Sequence, residues 1–254
     1  MLPAERLKMV LDVVNEMKVV TIEDLCCQLA VSKATVRRDL KELEQNNKII
    51  RTHGGALSFG DHGPYEPPFR VKSKWNIEEK QRIAEVACRY INPGEAIILD
   101  SGTTTLELAK KITMIENLTV ITNDLIIAME LSQYQNINLI VIGGKLKKDF
   151  YTLTGIFAEM VLKNIRADKY FIGADAVDRE LGLMNYNTEE IPIKKLMIAS
   201  AKKRYALCDH SKFEGVAVAN ICSFECIDQI ITGTEIDPEI LKKFANTGVE
   251  IETA

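Results

Sequence analysis

At 254 residues, 46% of them hydrophobic, the chain is long enough for one small and one larger domain with a sizeable core. Its net charge of −4 excludes coating of nucleic acid or an anionic membrane by bulk charge, so any basic surface must be local. The six cysteines form no CxxC pair and none has a histidine at zinc-site spacing; with no apolar run approaching the ~18 residues of a membrane span, the expectation is a reduced, cytoplasmic protein without a metal site.

Leu7, Val10, Leu11 and Val14 fall at i, i+3, i+4 and i+7 and predict an amphipathic helix over 6–17. Thr21, three residues before Asp24, is a capping-box-like start for a second helix that turns Ile22, Leu25 and Leu29 inward. Ser32 repeats the start signal before "KATVRRDLKELEQ", whose buried face is Val36, Leu40 and Leu43. "KIIRTHGGAL" then reads as two short strands around Gly54-Gly55, a tight hairpin whose glycines supply positive φ. Three helices and a hairpin make a winged helix-turn-helix over 1–57, and the Gly/Pro-dense "SFGDHGPYEPPF" opens a linker over 58–74.

The remainder, 75–254, reads as an α/β domain. A helix around 77–91 stops at Asn92-Pro93-Gly94, and the apolar runs "AIILD", "LTVIT", "INLIVIG", "KYFIGA", "RYALCD" and "QIITG" alternate with helical patterns. That alternation predicts a parallel sheet covered by helices on both faces.

On the third helix Lys33 and Arg37 lie one turn apart, flanked by Arg38 and Lys41, on the side opposite Val36 and Leu40. A run of charge on a helix is commonly only a solvated face. Here the helix follows a compact helix-turn unit, so Ser32, Lys33, Ala34, Thr35, Arg37 and Arg38 are placed to meet base edges in the major groove. The wing adds Arg51, Thr52 and His53 beside Gly54 and Gly55, chemistry suited to phosphate or a minor groove. The expected partner is double-stranded operator DNA.

"SKATVRRDLKELE" followed by "RTHGGA", and then "ILDSGTTTLELA", "VITND", "VIGGKL", "ADKYFIGADAVD" and "DHSKF" in order, resembles the DeoR family of bacterial transcriptional regulators over nearly the whole chain. The resemblance implies a winged helix-turn-helix joined to a sensor domain similar to ribose-5-phosphate isomerase. It further implies a homo-oligomeric repressor of a carbohydrate-catabolism operon that responds to a phosphorylated sugar or related metabolite, with no cofactor and no catalytic residues. Ala176 stands where many relatives have glycine, and its methyl group is expected to narrow the effector pocket.

The residues carry a physical reason for an anionic effector. A strand that ends in Asp100-Ser101-Gly102 and runs into a helix presents unpaired N–H groups and the positive end of a helix dipole, and Thr103, Thr104 and Thr105 add hydroxyls. The alternative is that Ser101 or Thr103 merely caps the helix. Ligands of open parallel sheets bind outside the carboxyl ends of the strands, where Thr122, Asn123, Gly143, Gly144, Lys145, Asp175 and Lys212 are expected to converge. Lys212 would supply charge to a phosphate and Asp175 would hold a sugar hydroxyl. Glu190 and Lys194 stand at i, i+4 as a surface ion pair by default, whereas the related isomerases imply Glu189 and Lys194 as effector contacts. A rival reading is a sugar-phosphate isomerase-like enzyme with an appended DNA-binding domain, its base drawn from Glu189, Glu190 or Asp175.

Overall fold

The computed structural model describes residues 2–17, 19–46, 48–51, 54–58 and 66–254, in two compact units, Met1–Pro67 and Pro68–Ala254. The first unit runs α1 (Pro3–Met17), β1 (Val19–Thr21), α2 (Ile22–Leu29), α3 (Lys33–Gln45), β2 (Ile49–Arg51) and β3 (Gly55–Ser58). The apolar stripes close on one another: Val10 and Val14 of α1, Leu25 of α2, and Val36 and Leu40 of α3 are fully buried in one cluster. Both predicted helix starts are real. Thr21 and Asp24 form a reciprocal capping box, and Ser32 accepts from the Thr35 amide at 3.2 Å.

The wing differs from the two-stranded expectation. β1 adds a third antiparallel strand in the order β1-β3-β2, with Val20 paired to Ala56. Gly55 is needed for this approach, since a Cβ there would stand 1.9 Å from the Val20 carbonyl oxygen. Positive φ is not its reason, as Gly55 is not in the left-handed region. Thr52 and His53 lie outside the described residues.

The second unit begins earlier than expected. Ser58 ends β3, and within the predicted linker 58–74 the segment Phe69–Lys72 forms helix α4 of the second unit. Helix α5 (Ile77–Cys88) follows, then β4 (Ala96–Leu99), α6 (Thr103–Lys111), β5 (Leu118–Thr122), α7 (Leu125–Leu131) and β6 (Ile137–Val141). A hairpin of β7 (Lys145–Lys147) and β8 (Thr152–Thr154) leads to α8 (Ile156–Leu162) and β9 (Ala167–Ile172). Next come β10 (Ala176–Asp178), β11 (Gly182–Asn185), α9 (Ile191–Ser200), β12 (Ala201–Leu207), β13 (Ala219–Cys222), β14 (Gln229–Thr232), α10 (Pro238–Phe244) and β15 (Glu250–Thr253).

Seven strands form one parallel sheet in the order β15-β14-β12-β9-β4-β5-β6. Alternate residues feed opposite faces. Ile97 and Leu99 pack with α5 to α7, while Ile98 packs with α8 and α9. The small sheet β10-β11-β13 and the β7–β8 hairpin were not legible as strands, being three or four residues long and partly polar. Ala176 is buried on that small sheet, its methyl group packed with Met184 and Ala217.

Gly55→Ala is expected to destabilise the first unit by about 1–3 kcal/mol through overpacking. Faster amide exchange in β1 and β3 would register it, and unchanged exchange would remove the close approach as the reason for this glycine.

Candidate functional site

In the first unit the side of α3 away from the core carries Lys33, Ala34, Arg37, Arg38 and Lys41, all exposed. Ser32, exposed, and Thr35, half-buried, share a hydroxyl contact of 2.9 Å at the helix start. Lys33 pairs with Glu23 of α2, and Arg51 lies 3.4 Å from Glu44. Asp39 does not offset the exposed cations. It is buried and accepts two bonds from Arg6 of α1, at 2.6 and 2.9 Å. Arg6 therefore holds α1 against α3 and neutralises Asp39 in the core.

In the second unit the parallel strands deliver their carboxyl ends to one edge. There α6 has no side-chain cap, unlike α2, α3 and α7, so neither Ser101 nor Thr103 is its cap. The cap position is Gly102, where a Cβ would stand 3.3 Å from the Thr105 hydroxyl. Thr105 is not a donor to the crevice, because its hydroxyl donates to Asp100 O and Gly102 O at 2.8 and 2.9 Å. Ser101 and Gly102 are half-buried and Thr103 and Thr104 nearly buried, around uncapped first-turn amides.

Asp100 and Lys194 meet in a buried ion pair, and the same Asp100 oxygen accepts from Gly173 N at 2.9 Å while Lys194 donates to Gly173 O at 3.0 Å. Burial works against the Lys194 charge, but Asp100 and Glu190 overcome it and raise its pKa above that of an ordinary lysine. The predicted surface pair Glu190–Lys194 is thus corrected: both are buried, and Glu190 accepts from Asn185 and Asn187 at 3.0 and 2.8 Å. Glu189 stays exposed and pairs with exposed Lys145 at 3.2 Å.

Thr122 and Asn123 are fully buried supports. The Thr122 hydroxyl accepts from Asp124 N, and the Asn123 amide donates to Leu153 O. Gly144 is required by packing, since a Cβ would meet Thr154 O at 2.4 Å, whereas one at Gly143 would meet nothing within 4 Å. Asp175 and Lys212 do come together. Asp175 accepts from Lys72 Nζ and Tyr186 N, both at 3.0 Å. Burial would raise its pKa, but Lys72, Lys212 and the Tyr186 amide hold it at about 2.

Four contributors were missed by sequence reasoning. Lys72 and Lys80 enter from α4 and α5; Lys80 donates to Lys72 O at 2.7 Å and lies 4.0 Å from Asp209. Burial lowers Lys80 to about 8, with Asp209 opposing and Lys212 and Lys72 adding to the drop. Its signal was a lysine at the helical spacing of Ile83, Ala84 and Ala87, a charge on the buried face. Glu79, the third, accepts from His210 Nδ1 and His210 N, both at 2.7 Å. Glu79, Asp209 and His210 are a possible metal-ligand set, with ligand atoms within 4.8 Å of one another, yet they are engaged with each other and with Lys80.

Asp124 is the fourth. It caps α7 through Ile126 N and Ile127 N at 2.7 and 3.0 Å, and its buried carboxylate lies beside the Gly102 amide at the start of α6. Burial drives its pKa up to about 7 against the Ile127, Ile126 and Gly102 amides, and Asp100 adds to the rise. A carboxyl raised in the folded state binds its proton more tightly than the unfolded chain does, so stability falls as pH rises from about 4 to about 7. Asp124→Asn keeps the cap oxygen, and its melting temperature is expected to exceed that of the wild type at pH 8, the gain fading toward pH 4.5. Parallel melts at the two pH values check this.

Residues 75–234 match the family description "DeoR C terminal sensor domain" and residues 6–61 match "DeoR-like helix-turn-helix domain". Among curated relatives, the HTH-type transcriptional regulator GolR of Listeria innocua is 35% identical over 254 residues, covering 100% of both chains. The putative aga operon transcriptional repressor of Escherichia coli O157:H7 is 32% identical, over 98% of this chain and 93% of that one. The HTH-type transcriptional repressor GlcR of Bacillus subtilis is 34% identical, over 97% and 95%. Similar solved structures include ribose 5-phosphate isomerase A of Methanocaldococcus jannaschii, at a TM-score of 0.41 and 20% identity over 54% of this chain and 55% of that one.

Proposed function

Because the chain belongs to the DeoR family of DNA-binding transcriptional regulators, we propose that it represses a carbohydrate-catabolism operon under the control of a phosphorylated sugar or related metabolite, with no turnover of its own. The observation that carries the reading is the uncapped start of α6 at the carboxyl edge of the sheet, the edge to which α4, α5 and the loop after β12 bring Lys72, Lys80 and Lys212. Uncapped amides and ammonium groups favour a dianionic ligand over a neutral one. The aga operon repressor and GlcR support the repressor sense. Acting on DNA, the protein works in the cytoplasm, and as a homo-oligomer it gains avidity from repeated half-sites.

A non-enzymatic sensor is supported by the state of the acids. Asp175, held at about 2 beside two lysines, is a poor base, Glu190 is tied to two asparagines, and Glu189 is in an exposed ion pair. The residues that would meet the effector are Ser101, Gly102, Thr103 and Thr104 at the anion end and Asp175 and Lys212 at the other.

Arg37→Ala and Arg38→Ala leave the core untouched, and loss of a good base contact is expected to weaken operator binding by about 1–3 kcal/mol. Gel-shift titration at fixed salt checks it, and wild-type affinity in both variants would remove α3 from DNA reading. For the effector, thermal shift against sugar phosphates and their free sugars is expected to show stabilisation by a phosphate ester alone. Equal stabilisation by the free sugar would overturn the phosphate reading.

A further inference from the structure

Helix α4 is four residues long, too short to hold itself, and begins just beyond Pro67, where the first unit ends. Its anchors all lie in the second unit. Phe69 N donates to Asp149 O at 3.1 Å, in the turn between β7 and β8, and the Phe69 ring meets Tyr151 edge-on at 5.9 Å. From α5, Lys80 holds the Lys72 carbonyl. A further tie is the Lys72 ammonium on Asp175, 103 residues away in sequence, just past the end of β9.

That tie sits in a cluster of opposed charges. Lys72, Lys80 and Lys212 face Asp175, Asp209 and Glu79, and Glu79 is also held by His210. A dianionic ligand adds acceptors to this set, so the ammonium groups must redistribute among more acceptors than they serve without it. Lys72 is the member of the set that stands on the segment leading to the DNA-binding unit.

We propose that Lys72 is the effector-reading residue of the crevice: an anionic ligand draws its ammonium from Asp175, and the release of α4 reports occupancy to the chain that tethers the DNA-binding unit. This rests on the phosphorylated-effector reading above. A ligand shifts an equilibrium only by its differential affinity for two states, and the two states here are α4 tied and α4 untied at Asp175.

The test uses the full chain, with Lys72→Met to remove the charge and Lys72→Arg to retain it. Without ligand, the amides of Val71, Lys72 and Ser73, which bond back to Pro68 and Phe69, are expected to exchange at least tenfold faster in Lys72→Met than in the wild type, with Lys72→Arg close to wild type. Wild-type exchange in ligand-free Lys72→Met overturns the proposal whatever the effector is. Inorganic phosphate and glucose 6-phosphate then serve as probes, read by thermal shift and by operator affinity in fluorescence anisotropy. Where a probe stabilises both proteins, its effect on operator affinity is expected to fall at least fivefold in Lys72→Met, and an undiminished effect overturns the proposal. If neither these probes nor other sugar phosphates stabilise the wild type, the phosphorylated-effector reading fails, and the ligand-free exchange still decides whether Lys72 anchors α4.

Discussion

The sensor unit depends on one buried ion pair, Asp100 with Lys194. Each charge taken singly would be strongly penalised away from water, and together they are tolerated because they neutralise each other and the Gly173 amide and carbonyl bond one to each, leaving only Asp100 Oδ1 of the pair's carboxylate without a hydrogen-bond partner among the described residues. The pair joins the end of β4, the end of β9 and the first turns of α9. Three loops that share no sequence neighbourhood are thereby held at one edge of the sheet. The uncapped start of α6, two residues beyond Asp100, is presented at a fixed place because the residue before it is locked.

Electrostatics at both working surfaces come from placement, and the overall charge of −4 conceals them. On α3, Asp39 is turned inward onto Arg6, so Lys33, paired with Glu23 of α2, and the exposed Arg37, Arg38 and Lys41 face away from it. At the sheet edge, acids and lysines are gathered in opposition from α4, α5 and the ends of β9 and β12. Low dielectric strengthens each of those interactions relative to water, which is why Asp175 and Asp209 are both held at about 2 in spite of their burial.

Local chemistry was readable in the sequence and distant pairing was not. Thr21 with Asp24, and Ser32 with Thr35, span three residues, so the helix starts could be read directly. The apolar runs of the seven-stranded sheet likewise announced six of its strands, and "DSGTTT" announced the turn from β4 into α6. Thr105 showed the limit of that reading, since its hydroxyl turns back to the loop backbone and only the folded geometry reveals it. Lys72 finds Asp175 across 103 residues, and Arg6 finds Asp39 across 33. Gly55 looked like a turn glycine and Gly144 like a ligand-site glycine, but a Cβ at either would meet a backbone carbonyl of a neighbouring strand. β1 and β15 lack a strong apolar alternation, so their pairing had no marker.

The strand order also dictates when each part of the protein comes into being. In the first unit every pairing closes within the first 58 residues. The large sheet behaves differently: its central strand β4 must wait for β9, with Ala96 and Asp168 72 residues apart, and Tyr90 reaches Glu252 of β15 across 162. Non-local pairings of this kind form late, and domains fold in the order they leave the ribosome. A nascent chain therefore carries a finished DNA reader well before the sheet that informs it has closed, and responsiveness is the last property the polypeptide acquires.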